Sequence, residues 1–541
     1  MASKLMRGTF VLTLGTYISR ILGMLFVIPF VALVGDSASG LYQIGYTQYT
    51  IFLSIATAGF PMAVSKFVSK YNSLGDYETS RKMFRAGIGV MLLTGFLSFI
   101  VLYLLAPILA ASALGTEKLA SGITIEDTVF VIRMVSIGLI VVPIMSLIRG
   151  FFQGHQSMGP TAVSQVIEQI VRIVFLLVSV YAILKIFHGS KVTAVGYATF
   201  GAFVGAIGGL IVLWMYWMKR RHTLEAMKEN EVPPSEISMK KLFKELFSYA
   251  LPFVFVGLAI PLSQAVDTYT MIPAMNASGY GEFADSILSF VLFQGRQIIM
   301  IPVSLATAFG LTLVPTITKY YTNREFRQLH LQISQSFQTI MFLVLPAIGG
   351  MMVLAGPIYK AFYGGSAQAA LLLQWQAPLA ILFSFFTVNA AILQGINKQK
   401  LAVISLAFGL IIKACINYPL SYFLHGQGSI IATAVSFLAS ILYSFVMIKR
   451  HAKFSFKVLM KRTMFILLLT VFMALALSVL QSVLGIFINY KASRAAASIV
   501  LLISVAGGAA VYLYLAYKSH LLERLMGSRL TFLKRKKVGR A

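Results

Sequence analysis

Six basic side chains fall inside long apolar stretches of the sequence: Arg20, Arg133, Arg149, Arg172, Arg296 and Lys413. An arginine at mid-bilayer costs from ~2.5 kcal/mol on insertion scales to far more on an isolated helix. That cost falls where the group faces water or an anion, so such residues point to anion binding inside a membrane cavity. Arg20 lies in Tyr17-Ile18-Ser19-Arg20-Ile21-Leu22-Gly23, near the middle of the first stretch. It is roughly 18 Å from Gly8 at 1.5 Å per helical residue, beyond the reach of snorkelling. Arg296, in Phe293-Gln294-Gly295-Arg296-Gln297, is equally far from charged flanks. Both are expected to face a cavity. So is Lys413, which has no acidic neighbour in its own stretch.

The remaining charges allow more than one reading. Arg172 follows Glu168 by one helical turn, so the two either pair on one face or leave Arg172 as a site. Arg133 and Arg149 stand close to the ends of their stretches and are expected to snorkel. Asp267, near the outer end of the seventh stretch, either orients Arg296 or caps a neighbouring helix. The deep positions are therefore net basic. Guanidinium forks match the oxygens of a pyrophosphate, so an anionic substrate fits, whereas a cation exporter would need the opposite sign. No Gly-rich phosphate loop ending in Lys-Ser/Thr, no zinc-type His/Glu spacing and no catalytic constellation is present. The expectation is a non-enzyme with no cofactor and no metal, driven by a monovalent cation gradient or the membrane potential.

The elements that must position these groups are membrane helices. The chain has 541 residues, 58% hydrophobic and 11% charged, against about 25% charged in soluble domains. Its net charge of +28 reads as Lys and Arg gathered in cytoplasmic loops, with no nucleic-acid partner. The single cysteine, Cys415, excludes an intramolecular disulfide framework. The apolar stretches are 8–34, 41–65, 86–112, 128–152, 160–187, 194–218, 246–272, 285–318, 331–355, 368–394, 401–424, 429–448, 463–486 and 495–517. The fold class expected is thus an all-α polytopic membrane protein with 14 transmembrane helices, the first retained and not a cleaved signal peptide. The alternation of basic loops puts both termini in the cytoplasm.

The order of segments suggests duplication. Gln153-Gly154-His155-Gln156 and Gln394-Gly395-Ile396-Asn397 close the fourth and tenth stretches, and the same offset carries Arg172 onto Lys413. Gly59-Phe60-Pro61 with Lys70-Tyr71 is echoed by Ala308-Phe309-Gly310 with Lys319-Tyr320. Two parallel six-helix repeats plus two C-terminal helices follow. The expected divisions are an N-terminal lobe 1–218, a cytoplasmic linker 219–245 containing Pro233-Pro234, a second lobe 246–450, and 451–541 with the last two helices and a basic tail. Glycines and prolines scattered through the stretches serve either small-residue helix packing or bending as a cavity opens.

Ser19-Arg20-Ile21-Leu22-Gly23, Asp267-Thr268, the run from Arg296 through Pro302 to Thr312-Leu313-Val314-Pro315, and Gly59-Phe60 with Lys66 and Lys70-Tyr71 resemble motifs of the multidrug/oligosaccharidyl-lipid/polysaccharide flippase superfamily. The pattern is most similar to MurJ-type lipid II flippases, in the branch that includes SpoVB-type sporulation proteins. The resemblance implies a V-shaped bundle in the bacterial cytoplasmic membrane with a cationic cavity for a polyprenyl-pyrophosphate-linked glycan. Its tail would lie in a groove against the thirteenth and fourteenth helices. Arg20 and Arg296 carry over as substrate-binding residues, with Ser19, Glu168 and Asp267 in support. Phe26 and Val27 stand where some members carry Arg and Asp, and Leu53 and Ser54 where paired arginines occur. Arg172 and Lys413 are the candidates to supply the missing charge. Partners implied are the lipid-linked anionic substrate, membrane lipids and the cell-wall synthesis machinery. The alternatives are a flippase for another lipid-linked glycan, a cation-coupled drug exporter, or a scaffold without transport.

Overall fold

The computed structural model describes residues 2–57, 59–115, 122–226, 254–255 and 257–521. The second part of the expected linker with Pro233-Pro234, the start of the seventh stretch and the basic tail Lys534-Arg535-Lys536-Lys537 lie outside the described residues. Every regular element among the described residues is helical. Among the described residues eleven helical segments are long and apolar enough to cross a membrane, which makes this a multi-pass all-α membrane protein. One of them, α17 (Gln399–Ala452), holds the eleventh and twelfth expected stretches and breaks at His425, where φ is 53° and ψ is −128°. The second and seventh stretches fall on α3 (Asp36–Thr57) and α10 (Ala259–Ala277), which are absent from the eleven. For α3 the reason is chemical, since it buries the polar side chains Ser39, Gln43, Thr47 and Gln48. The seventh stretch begins outside the described residues, and its described part, α10, buries Ser263, Gln264, Asp267 and Thr268.

By packing, the chain divides into two compact units, 1–293 with 416–429, and 294–415 with 430–541. The first unit contains α1 (Ala2–Leu25), α2 (Val27–Val34), α3, α4 (Phe60–Ser73), α5 (Tyr77–Leu114), α6 (Ile125–Ser136), α7 (Gly138–Gly154), α8 (Met158–Tyr181), α9 (Lys191–Ala226), α10 and the short α11 (Ala284–Leu288). The break between α1 and α2 falls at Phe26, three residues before Pro29. Proline has no N–H to give the Leu25 carbonyl, so the ladder is interrupted there. Capping chemistry sets other starts. Asp76 accepts from the Thr79 amide at 3.0 Å ahead of α5, and Thr124 and Asp127 form a reciprocal capping box ahead of α6. The 416–429 segment docks on α10 and the turn that follows it: Asn417 Nδ2 donates to Thr270 Oγ1 at 2.6 Å, and the His425 ring lies 3.8 Å from that of Tyr280.

The second unit is built from α12 (Gly295–Thr322), α13 (Phe326–Val353), α14 (Ala355–Tyr363), α15 (Ala367–Gln376), α16 (Leu379–Gly395), the outer parts of α17, α18 (Lys457–Phe487) and α19 (Arg494–Lys518). A π-helical turn, Ser289–Gln294, runs directly into α12. The last two helices are fastened to α13. Arg462 Nη1 donates to Gln338 Oε1 at 2.6 Å, Tyr512 Oη donates to the Phe342 carbonyl at 2.9 Å, and Gly349 lets Thr470 and Met473 approach its backbone.

Candidate functional site

The first unit organises its charge along α8. Thr161, Ser164, Gln165, Glu168, Gln169 and Arg172 recur every three or four residues, so they form one polar stripe on a helix that is otherwise apolar. Toward α1 the stripe meets small residues. Gly15 packs on Ala162, Thr16 Oγ1 donates to Gln165 Oε1 at 3.2 Å, Ser19 Oγ donates to the Gln165 carbonyl at 3.4 Å, and Gly23 faces Gln169. This seam fixes the rotation of α1. Arg20 is half-buried, and among the described residues no carboxylate lies within ion-pair distance of it. Ser19 thus has a positioning contact next to Arg20.

The Glu168–Arg172 pair is not formed. Glu168 Oε2 instead accepts from Arg149 Nη2 at 2.8 Å, while Arg149 Nε donates to Ser164 Oγ at 2.8 Å. Arg149 therefore turns inward and does not snorkel. A carboxylate one helix away in an apolar span compensates its charge more effectively than an extended reach to the headgroups. Arg133 does lie over an aromatic ring, 4.6 Å from the centroid of Tyr103.

Released from Glu168, Arg172 reaches α3. Its Nη2 donates to Tyr42 Oη at 2.8 Å and its Nη1 to Tyr46 Oη at 3.1 Å, with the guanidinium 4.9 Å from the Tyr46 ring centroid. Tyr42 and Tyr46 stack at 5.7 Å and 11°. Phenols hydrogen-bond the cation without supplying a counter-charge, so the charge of Arg172 is not offset by these partners, whereas that of Arg149 is balanced by Glu168. Phe26 packs 6.5 Å from Tyr42 in the same aromatic cluster. The position therefore supports the tyrosine that holds Arg172. On the opposite side, Gly205 and Gly209 of α9 give the charged residues room. A Cβ on Gly205 would sit 2.8 Å from both the Arg172 Cβ and the Glu168 carbonyl oxygen.

In the second unit Arg296 stands in the first turn of α12, directly after the π turn, with its guanidinium 5.5 Å from the Phe383 ring centroid. π turns in membrane helices often mark functional positions. Lys413 is fully buried. It lies one turn after Gly409, whose backbone Ser436 and Ser440 approach closely. Asp267 is buried and accepts from Ser429 Oγ at 2.6 Å, in the first turn after the break at His425. Among the described residues no group of three or more His, Cys, Asp or Glu is disposed to hold a metal ion.

Tyr42, Tyr46, Ser164 and Gln165 escaped the sequence reading. The signal was available in the three- and four-residue spacing of polar groups on α8 and of tyrosines on α3.

Comparison with known proteins places this architecture. A family model described as polysaccharide biosynthesis protein matches residues 5–321. The lipid II flippase MurJ of Bacillus subtilis is 56% identical over 534 residues, 98% of each chain. The chain belongs to the MurJ family. Among solved structures, a lipid II flippase MurJ in an inward closed conformation matches the fold of this MurJ-family chain with a TM-score of 0.66 at 16% identity. The match covers 95% of this chain and 99% of that one. An inward-facing multidrug resistance MATE transporter of the MOP superfamily gives 0.60 at 15% identity, covering 81% and 99%. The MurJ family is one of transporters, not of enzymes.

Proposed function

We propose that this chain is a lipid II flippase, carrying the undecaprenyl-pyrophosphate-linked peptidoglycan precursor from the inner to the outer leaflet by alternating access. The observation that carries this reading is the near full-length identity with the Bacillus subtilis flippase. The chemistry agrees. Arg20, with no carboxylate partner among the described residues, and Arg172, held by neutral phenols, keep positive charge available at depth. Such groups attract a phosphate-bearing headgroup and form short charge-assisted bonds to it. Arg296 is assigned the same role in the second unit. Lys413 acts, on this reading, once helix movement exposes it.

The protein sits in the bacterial cytoplasmic membrane with both termini cytoplasmic, an orientation supported by the basic loops. Lipid II carries negative charge outward, down an inside-negative potential worth ~2.3 kcal/mol per charge at 100 mV. That term, alone or with a monovalent cation gradient, supplies direction without ATP. The test is depletion of the native flippase in a bacterium that depends on it. Expression of this chain is expected to restore outer-leaflet lipid II and growth. Good expression without restoration would refute the proposal in favour of another lipid-linked glycan.

A further inference from the structure

Two adjoining cavities on the first unit are not used by the site above. The first, of about 220 Å³, is lined by Asn72, Tyr77, Ser80, Arg81, Arg85 and His155, closed by Phe84, Phe151 and Trp217. The second, of about 420 Å³, is lined entirely by apolar and tryptophan side chains of α5, α7 and α9, among them Ile88, Ile148, Leu210 and Trp214. Phe84 and Trp217 belong to both. The pair therefore forms one groove, basic where α5 begins and α9 ends, and apolar farther into the spans.

Helical spacing produces this gradient. Tyr77, Arg81, Phe84, Arg85 and Ile88 recur every three or four residues on α5 and share one face. Lys82 is engaged with Glu78 at 2.6 Å. Among the described residues, two buried polar atoms at the basic end, Ser80 Oγ and Asn72 Oδ1, have no hydrogen-bond partner. Ser80 is 1% exposed, which makes an unmet hydroxyl there costly. Burial lowers the pKa of His155, and the nearby Arg220 adds to that, against a raising bond from Nδ1 to the Phe151 carbonyl at 3.0 Å. The apolar part is open toward lipid, with Ile211 and Trp214 among the exposed side chains.

We propose that this groove binds an anionic phospholipid. Its phosphate sits at Arg81 and Arg85 and takes the Ser80 hydroxyl as a donor, and one acyl chain lies along Ile88, Ile148, Leu210 and Trp214. A neutral zwitterionic lipid meets the same apolar walls but gains less from two adjacent guanidinium groups.

The chain has three tryptophans, so a Trp375→Phe variant reports from Trp214 and Trp217 alone. The full-length protein is reconstituted in vesicles mixing brominated phosphatidylglycerol with plain phosphatidylcholine, and in the reverse mixture. Quenching is expected to give a relative binding constant at least about fivefold in favour of phosphatidylglycerol, the equivalent of ~1 kcal/mol for a basic side chain at an anionic surface. Arg81→Gln/Arg85→Gln should bring the ratio to about one, and Arg81→Lys/Arg85→Lys should hold it within about twofold of the parent. Equal quenching by the two lipids, or a preference that survives the glutamine pair, would overturn the proposal. So would loss of preference on adding millimolar glycerol phosphate, which means that the headgroup alone binds. Absence of quenching by either lipid would also overturn it, because a protein surface then covers the groove. The lipid comparison on the Trp375→Phe chain decides the matter even if the glutamine pair does not fold.

Discussion

Replacing Glu168 by Gln tests whether the Arg149–Glu168 pair organises the first unit. The N···O separation is 2.8 Å, and the side chains are 11% and 23% exposed. At an effective dielectric of about 20 the attraction is ~6 kcal/mol before desolvation, which offsets most of it. Removing one partner strands the other charge, a cost of about 3–5 kcal/mol in soluble proteins. Within a bilayer the unfolded reference also finds partners, which lowers the figure to about 2–3 kcal/mol. Arg149 retains its bond to Ser164 Oγ, and this too limits the loss. The assay is unfolding in mixed micelles by titration with sodium dodecyl sulfate, followed by tryptophan fluorescence in a Trp214→Phe/Trp375→Phe background that leaves Trp217, whose ring lies 5.4 Å from those of both Phe84 and Phe151. Glu168→Gln should lose about 2–3 kcal/mol, whereas Arg149→Met/Glu168→Met should stay within about 1 kcal/mol of the parent. A loss under ~0.5 kcal/mol for the single variant, or a double variant as unstable as either single one, would refute the reasoning.

Tyr42→Phe removes the 2.8 Å bond to Arg172 and should cost about 1–2 kcal/mol in the same titration, as charge-assisted bonds do; no loss would mean that Tyr42 does not hold the cation. Gly205→Val would force α8 and α9 apart at the Arg172 level and should destabilise by about 1–3 kcal/mol, while Gly159→Val, where nothing lies near, should be far milder. His155 has a lowered pKa when folded, from burial first and Arg220 second. The unfolded chain therefore binds the proton more readily, and stability should be full above the ordinary value of 6.5 and decline as pH falls below it. His155→Asn should flatten that slope in unfolding midpoints measured across acidic pH.

The helical stretches were legible because transmembrane length and apolarity are properties of contiguous sequence. Where the chain departs from them the cause is local: the polar face of α3 lowers its hydropathy, and the hydrogen-bonded helix α17 runs through the kink at His425. Partner choice was far less legible. Glu168 and Arg172 are one turn apart, so a pair within the helix was a fair expectation, yet the side chains face Arg149 and the tyrosines of α3. Nothing within α8 alone selects between neighbours contributed by other helices. The apolar Phe26, at a position where the resemblance notes Arg in some members, makes sense once Tyr42 is seen beside it.

The central claim is that deep guanidinium groups exist to engage the phosphates of a lipid-linked glycan. Its most direct test is translocation of fluorescent lipid II in vesicles containing the purified chain under an imposed potential. Arg20→Ala and Arg296→Ala are each expected to slow transfer at least about tenfold, the loss of one charge-assisted bond, with Lys at either position restoring part of the rate. Transfer at the parental rate by both alanine variants would contradict the account.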